Sequence, residues 1–155
     1  MMQSKRIDPL LRRAQEQEDK VARDLAERQR ALDTHQSRLE ELRRYAEEYA
    51  SSQMSGTSAV ALSNRRAFLD RLDSAVLQQA QTVESNRAKV EAERTRLLLA
   101  SREKQVLEQL AASYRAQEKV VTDRRDQREM DDIGARRARL VQIEDQDGAE
   151  QGGRS

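Results

Sequence analysis

The residues of this sequence that could do chemistry are its carboxylates, its arginines and a single histidine. His35 is the only histidine, and the chain has no cysteine. Zinc is held mainly by His and Cys side chains, so the composition predicts no metal site and no thiol nucleophile. Gly56 stands alone among Ser and Thr residues, which is typical of a turn and not of a phosphate-binding loop. We therefore expect no catalytic, cofactor-binding or metal-binding residue.

The acidic and basic residues alternate along the chain. They make up 37% of its 155 residues, and the formal net charge is only +1. Carboxylates become acid–base catalysts where a cleft removes water from them, whereas alternating charges indicate a solvated helix surface. Two arginine clusters, residues 124–128 and 136–139, are likewise interrupted or flanked by acids. The sequence thus predicts neither an enzyme nor a nucleic-acid binder, but a charged surface that is solvated or that docks an acidic protein.

Long amphipathic helices must carry these groups. Aromatic residues make up 3% of the chain, which is too few for a large globular core. Apolar residues instead recur in heptads, and this periodicity predicts an all-α, antiparallel two-helix coiled-coil hairpin whose second helix is the longer. In helix 1, rows a and d contain Leu11, Glu18, Leu25, Leu32, Leu39 and Ala46, and Ala14, Val21, Arg28, His35, Leu42 and Tyr49. In helix 2 they contain Leu62, Leu69, Val76, Val83, Val90 and Leu97, and Arg65, Leu72, Gln79, Asn86, Glu93 and Ala100.

Local signals predict where the helices begin and end. Asp8-Pro9 suits a helix start, so helix 1 is predicted over about residues 9–53. A Ser/Gly-rich turn over about residues 54–58 follows, in which Thr57 or Ser58 could cap helix 2. Helix 2 is predicted over about residues 59–140. The hairpin forms a single domain over residues 1–143, and the polar residues 144–155 are predicted to be a disordered tail.

The apolar rows also predict how the two helices align. If the numbers of facing residues add up to about 111, every a residue faces a d residue, but Glu18 faces Glu93. A slip of one heptad, to about 104, is the alternative and removes that clash. In either register His35 is a polar seam residue. Helix 2 continues beyond the end of helix 1, and we interpret that part as a surface kept for a partner.

Several short motifs resemble the flagellar export protein FliJ family. They are Tyr45-Ala46-Glu47-Glu48-Tyr49, then Ser63-Asn64-Arg65, Phe68-Leu69-Asp70-Arg71-Leu72, and the closing motif from Asp126 to Asp132. The likeness extends over nearly the whole chain, with the same spacing of helix 1, turn and helix 2. It implies an antiparallel two-helix coiled coil similar to the stalk subunit of rotary ATPases, without enzymatic activity.

The resemblance also implies partners. The family binds and stimulates the hexameric flagellar export ATPase, contacts the cytoplasmic domain of the export-gate membrane protein, and escorts export chaperones. Carried over to this sequence, the gate-binding residues are Leu42, Tyr45, Tyr49, Leu72 and Val76. The residues implied for the ATPase ring are Arg124, Arg125, Arg128, Met130 and Asp131.

The remaining expectations concern location and alternatives. The sequence contains no apolar run of about 20 residues and no apolar N-terminal stretch, so we expect neither a membrane span nor a secretion signal. The expected location is the cytoplasm, peripheral to the inner membrane at the flagellar base, and the free protein is expected to be a monomer. The alternatives are a stalk protein of a virulence type III secretion system and a self-associating structural coiled coil.

Overall fold

Two long helices make up the described part of the chain. The computed structural model describes residues 3–52 and 58–152. Helix α1 spans Gln3–Ser51 and α2 spans Ala59–Gln151, and no strand occurs within those ranges. The helices pack against each other and the second is longer, which confirms the predicted all-α helical hairpin.

The start of α2 agrees with the prediction. The Oγ atom of Ser58 accepts a hydrogen bond from the backbone N–H of Ala61 at 3.3 Å, so Ser58 is the N-cap. The rest of the predicted turn, residues 54–57, and the alternative cap Thr57 lie outside the described residues.

The chain divides into two compact units, which are described separately. One comprises Leu11–Val106, and the other combines Met1–Leu10 with Leu107–Ser155. The single domain predicted over residues 1–143 stays a prediction.

In the unit Leu11–Val106, the predicted heptad rows form the seam. Its core cluster consists of Leu32, Leu39, Val83 and Val90, against which Leu25, Val76 and Ala80 pack. His35 is partly buried there, and Gln79 Nε2 contacts its Nδ1 at 3.2 Å and donates to its carbonyl at 2.9 Å. His35 is therefore a satisfied polar seam residue.

Two members of the predicted rows lie outside the seam. Arg28 is exposed, because its long charged side chain can turn to solvent. Leu62 is 51% exposed. The guanidinium of Arg65 already reaches the last carbonyls of α1, so the first turn of α2, including Leu62, lies beyond the end of α1.

The alignment of the helices differs from both predicted registers. Glu18 pairs with Lys104 at 3.3 Å, where the favoured register places Glu93 opposite Glu18. The residue numbers of this pair add up to 122, and those of the contacting pair His35 and Gln79 add up to 114. Directly facing residues lie between these two values, at about 118, which is one heptad beyond the predicted 111 and two beyond the alternative 104. The observed register replaces a repulsive Glu–Glu layer with an ion pair, and it is compatible with an α1 that begins earlier than predicted.

A charge reversal at Glu18 tests this register. We expect Glu18→Lys to lower the free energy of unfolding by roughly 1 kcal/mol, because it places a second ammonium beside Lys104 in a partly buried layer. In the predicted register the same change would face Glu93 and would stabilise the hairpin. Urea denaturation measures the effect.

The double variant Glu18→Lys with Lys104→Glu is the control. It restores the opposite charges, so it should recover most of the loss. If Glu18→Lys alone raised the stability, the observed alignment would be wrong.

The unit that combines Met1–Leu10 with Leu107–Ser155 explains why α1 begins early. Ile7 is 5% exposed and Ala111 is 1% exposed. Ser4 donates to the carboxylate of Glu118 from its backbone N–H at 3.2 Å and from its Oγ at 2.6 Å. Glu118, on α2, therefore caps the N-terminus of α1. The predicted cap, Asp8, instead pairs with Arg115 at 3.4 Å.

The start of α1 thus differs from the predicted start at about residue 9. The helix begins at Gln3, and Pro9 lies inside it. Proline removes one backbone hydrogen bond from a helix interior at a cost of about 3 kcal/mol. The Ser4–Glu118 bonds, the buried Ile7 and the Asp8–Arg115 pair offset that cost.

Protonation of Glu118 should release this contact. The hydrogen bonds from Ser4 lower the pKa of Glu118 below its usual 4.5. A lowered folded-state pKa contributes stability that is present above the unfolded-state pKa and is lost as the pH falls through the folded-state pKa. In an NMR titration, the Ser4 amide should therefore hold its position near neutral pH and shift as the pH falls through the lowered pKa of Glu118.

Two variants make the titration specific. Glu118→Gln should abolish the shift, because a neutral amide does not titrate. Glu103→Gln changes an exposed glutamate and should leave the shift in place. A Ser4 amide that titrates in Glu118→Gln would contradict the assignment.

The end of α2 differs from the predicted end at about residue 140. The helix continues to Gln151, so residues 144–151 are helical where a disordered tail was predicted. Glu, Gln and Ala, which are good helix formers, make up five of the eight residues 144–151. No proline interrupts it, and an added Cβ at Gly134 or Gly148 would meet nothing within 4 Å. The side chains of residues 119–150 are all exposed.

Candidate docking surfaces

An aromatic cluster lies where α1 ends. The rings of Tyr49 and Phe68 are 4.7 Å apart between centroids and meet edge to face, and both side chains are partly buried. Tyr45 lies 6.5 Å from each of these two rings and is 50% exposed. Tyr49 and Phe68 thus support a tyrosine that presents half of its surface to solvent.

A shallow groove adjoins Tyr45. It has a volume of about 360 Å³ and is lined by Arg38, Glu41, Leu42, Tyr45 and Gln79. Its walls combine apolar side chains with one cation, one anion and one amide. Such a mixture is typical of surfaces that contact other proteins. The groove lacks the enclosed shape and the convergent polar groups of a small-molecule site.

The five residues predicted for gate binding divide into two groups. Tyr45 and Leu42 line the groove, and Tyr49 supports Tyr45 from within the cluster. Leu72 is only 8% exposed, and Val76 packs against the core cluster. The structure therefore places Leu72 and Val76 in the hairpin seam, beneath the surface that a partner could contact.

Two residues of this site were not among the predicted site residues. Phe68 is the only phenylalanine of the chain and supports both tyrosines. Arg65 binds the end of α1. The signal that could have identified Phe68 is its position one turn after Arg65 in a chain with very few aromatic residues.

A second surface lies on α2 beyond its contacts with α1. The side chains of Arg124, Arg125 and Arg128 line one groove of 470 Å³ together with Val121, Glu129 and Asp132. Arg125 pairs with Glu129 at 3.4 Å, and Gln127 donates to Asp131 at 3.2 Å. Met130 is 70% exposed and does not line this groove. The structure thus brings together the three predicted arginines, while Met130 and Asp131 lie outside the groove.

Among the residues that the structure describes, no three His, Cys, Asp or Glu side chains are grouped so that they could hold a metal ion. Within residues 3–52 and 58–152, neither helix has a stretch apolar enough to cross a lipid bilayer.

The fold is that of a helical-hairpin protein, with a half-exposed tyrosine near the end of α1 and a mixed-charge, exposed segment of α2 over residues 119–150. A family model described as the flagellar FliJ protein matches residues 3–142. The chain belongs to the FliJ family and is therefore a component of flagellar protein export. Comparisons with curated proteins and with solved structures gave no match.

Proposed function

We propose that this protein is a non-catalytic stalk and adaptor of the flagellar export ATPase. The observation that carries the proposal is the exposed part of α2, residues 119–150, where no side chain is buried. Most helical stability in proteins comes from the packing of one helix face, so a segment without such packing is stabilised when a partner covers it. The ATPase hexamer is the proposed partner, and binding stimulates it.

The chemistry of this segment supports a protein partner with acidic side chains. Arg124, Arg125 and Arg128 present cations along one groove, and the neighbouring acids keep the net charge low. Arginines of this kind form replaceable, charge-assisted contacts with acidic side chains. Exposed apolar side chains, Met130 at 70% and Ile133 at 51%, add surface that a partner can bury.

Charge reversal tests the proposal. We expect the triple variant Arg124→Glu, Arg125→Glu, Arg128→Glu to weaken binding to the cognate export ATPase by at least about tenfold and to remove most of its stimulation. Far-UV circular dichroism should show unchanged helix content, since these side chains are exposed.

The matched control is Arg136→Glu, Arg137→Glu, Arg139→Glu, which makes the same change of charge further along α2. It should retain most of the stimulation. Full stimulation by the first triple variant, or equal loss in both, would refute docking through the 124–128 groove. Deletion of residues 121–155 without effect on stimulation would refute the stalk function itself.

The surface around Tyr45 is proposed to bind the cytoplasmic domain of the export-gate membrane protein. Tyrosine is favoured in interfaces because it contributes a large area at a small entropic cost. The half-exposed ring of Tyr45 beside a mixed groove supports this assignment. Such binding would hold the protein at the cytoplasmic side of the inner membrane at the flagellar base. Escort of export chaperones is proposed on the family relationship.

The alternative of self-association predicts a different solution state. We propose that the free protein is a monomer, and analytical ultracentrifugation distinguishes it from an obligate dimer. The family match is to the flagellar protein, so the virulence-system alternative has no observation in its favour.

A further inference from the structure

Arg65 holds the C-terminal end of α1. Its Nη2 donates to the carbonyl oxygens of Tyr49 at 3.2 Å and of Ala50 at 3.1 Å, and also to that of Ser52. Its guanidinium carbon lies 5.9 Å from the centroid of the Tyr49 ring. One side chain of α2 therefore contacts both the backbone and an aromatic ring at the end of α1.

The end of α1 needs such a partner. The last carbonyls of a helix have no partner within the helix and form the negative end of its dipole. No basic residue lies in the last turn of α1 itself. Ser51 and Ser52 donate hydroxyl hydrogen bonds to the carbonyls of Glu48 and Tyr49, but they bring no positive charge. Arg65 supplies that charge from the other helix.

We propose that Arg65 is a positioning residue for the docking surface at Tyr45. This inference rests on the proposed binding of the export gate. By fixing the last turn of α1, Arg65 keeps the Tyr49 ring against Phe68, and these two rings support Tyr45. Without the hydrogen bonds from Arg65, the last turns of α1 fray, and a partner must order them before it can bind Tyr45.

The contact with the ring favours an arginine at this position, because the single nitrogen Nη2 makes all three carbonyl contacts while the guanidinium carbon lies near Tyr49. A planar guanidinium can reach several carbonyls while it lies near a ring, whereas a lysine ammonium is a strongly hydrated point charge. Arg65→Lys should therefore keep the charge at the helix end and lose the simultaneous contacts. Comparison of the two variants separates the effect of the positive charge from that of the guanidinium contacts, because Arg65→Ala removes both.

Three measurements on the full-length chain test the inference. For Arg65→Ala we expect about tenfold faster amide hydrogen exchange at residues 46–52 and a smaller near-UV circular dichroism signal from the tyrosines. We expect about tenfold weaker binding to the cytoplasmic domain of the cognate export gate by calorimetry. Arg65→Lys should give intermediate values in all three. Amide exchange at the core residues 83–90 should be unchanged, because Val83 and Val90 cluster with Leu32 and Leu39 of α1, well before the end of that helix at Ser51.

Arg66→Ala is the matched control, since Arg66 is the exposed neighbour of Arg65 and should leave all three measurements unchanged. Unchanged exchange and tyrosine signal in Arg65→Ala would overturn the inference. The inference would also be overturned if Arg65→Ala exchanged faster but bound the gate normally, while Tyr45→Ala weakened binding. If Tyr45→Ala itself leaves binding unchanged, the proposed gate docking fails and the inference fails with it, whatever the exchange data show.

Discussion

The variant Val83→Asp should lose most of the stability of the hairpin. Val83 is 2% exposed and belongs to the core cluster with Leu32, Leu39 and Val90. A carboxylate at that position has no cation among the cluster's apolar side chains, and an uncompensated buried charge destabilises by about 3–5 kcal/mol. For a small domain this shifts the thermal midpoint by more than about 10 °C. Thermal unfolding followed by far-UV circular dichroism measures the loss.

Leu77→Asp is the matched control, because Leu77 lies on the same helix within two turns and is 61% exposed. The same change of chemistry there should alter the free energy of unfolding by no more than about 0.5 kcal/mol. Equal midpoints for the two variants would mean that the seam does not contain Val83.

The heptad rows could be predicted from sequence because each helix needs only one continuous apolar stripe. Val21, Val83 and Val90 lie in that stripe and are almost fully buried. The register could not be predicted in the same way. A slip of one heptad leaves most a and d residues facing apolar partners, so the rows alone hardly distinguish the alternatives. The Glu18–Lys104 pair favours the observed alignment, but it is one polar contact among many apolar ones.

The start of α1 was predicted wrongly for a different reason. Asp8 and Pro9 are strong local signals for a helix start, and they indicated the wrong residue. The group that caps the helix is Glu118, which is 114 residues away from Ser4 in sequence. A cap contributed by another helix leaves no local pattern, so the early start could be found only once the two helices were aligned.

In the candidate site too, local sequence patterns predicted some features, while others depend on how the two helices align. Tyr45 and Tyr49 could be singled out because two tyrosines one turn apart are unusual in a chain with 3% aromatic residues. Leu72 and Val76 came from the family resemblance, and their burial follows from the seam pattern. The contacts of Arg65 depend on where α1 ends relative to α2, which the predicted register did not place correctly.

Replacement of Tyr45 should separate docking from stability. We expect Tyr45→Ala to weaken binding to the cytoplasmic domain of the export gate by about 2 kcal/mol, or roughly 30-fold, on the scale of interface hot spots. Because the ring is 50% exposed, its loss should lower the free energy of unfolding by less than about 1 kcal/mol. Calorimetry measures the affinity, and urea denaturation measures the stability.

Tyr49→Ala should behave differently. Its ring meets Phe68 at 4.7 Å and contacts Arg65, so the variant should lose about 2–3 kcal/mol of stability as well as affinity. Leu98→Ala, which removes a side chain of similar exposure (51%) from α2, should change neither quantity appreciably. Normal gate binding by Tyr45→Ala, or an equal loss in Leu98→Ala, would show that the partner does not recognise this tyrosine. A stability loss in Tyr45→Ala as large as that in Tyr49→Ala would show that Tyr45 is part of the hairpin's core.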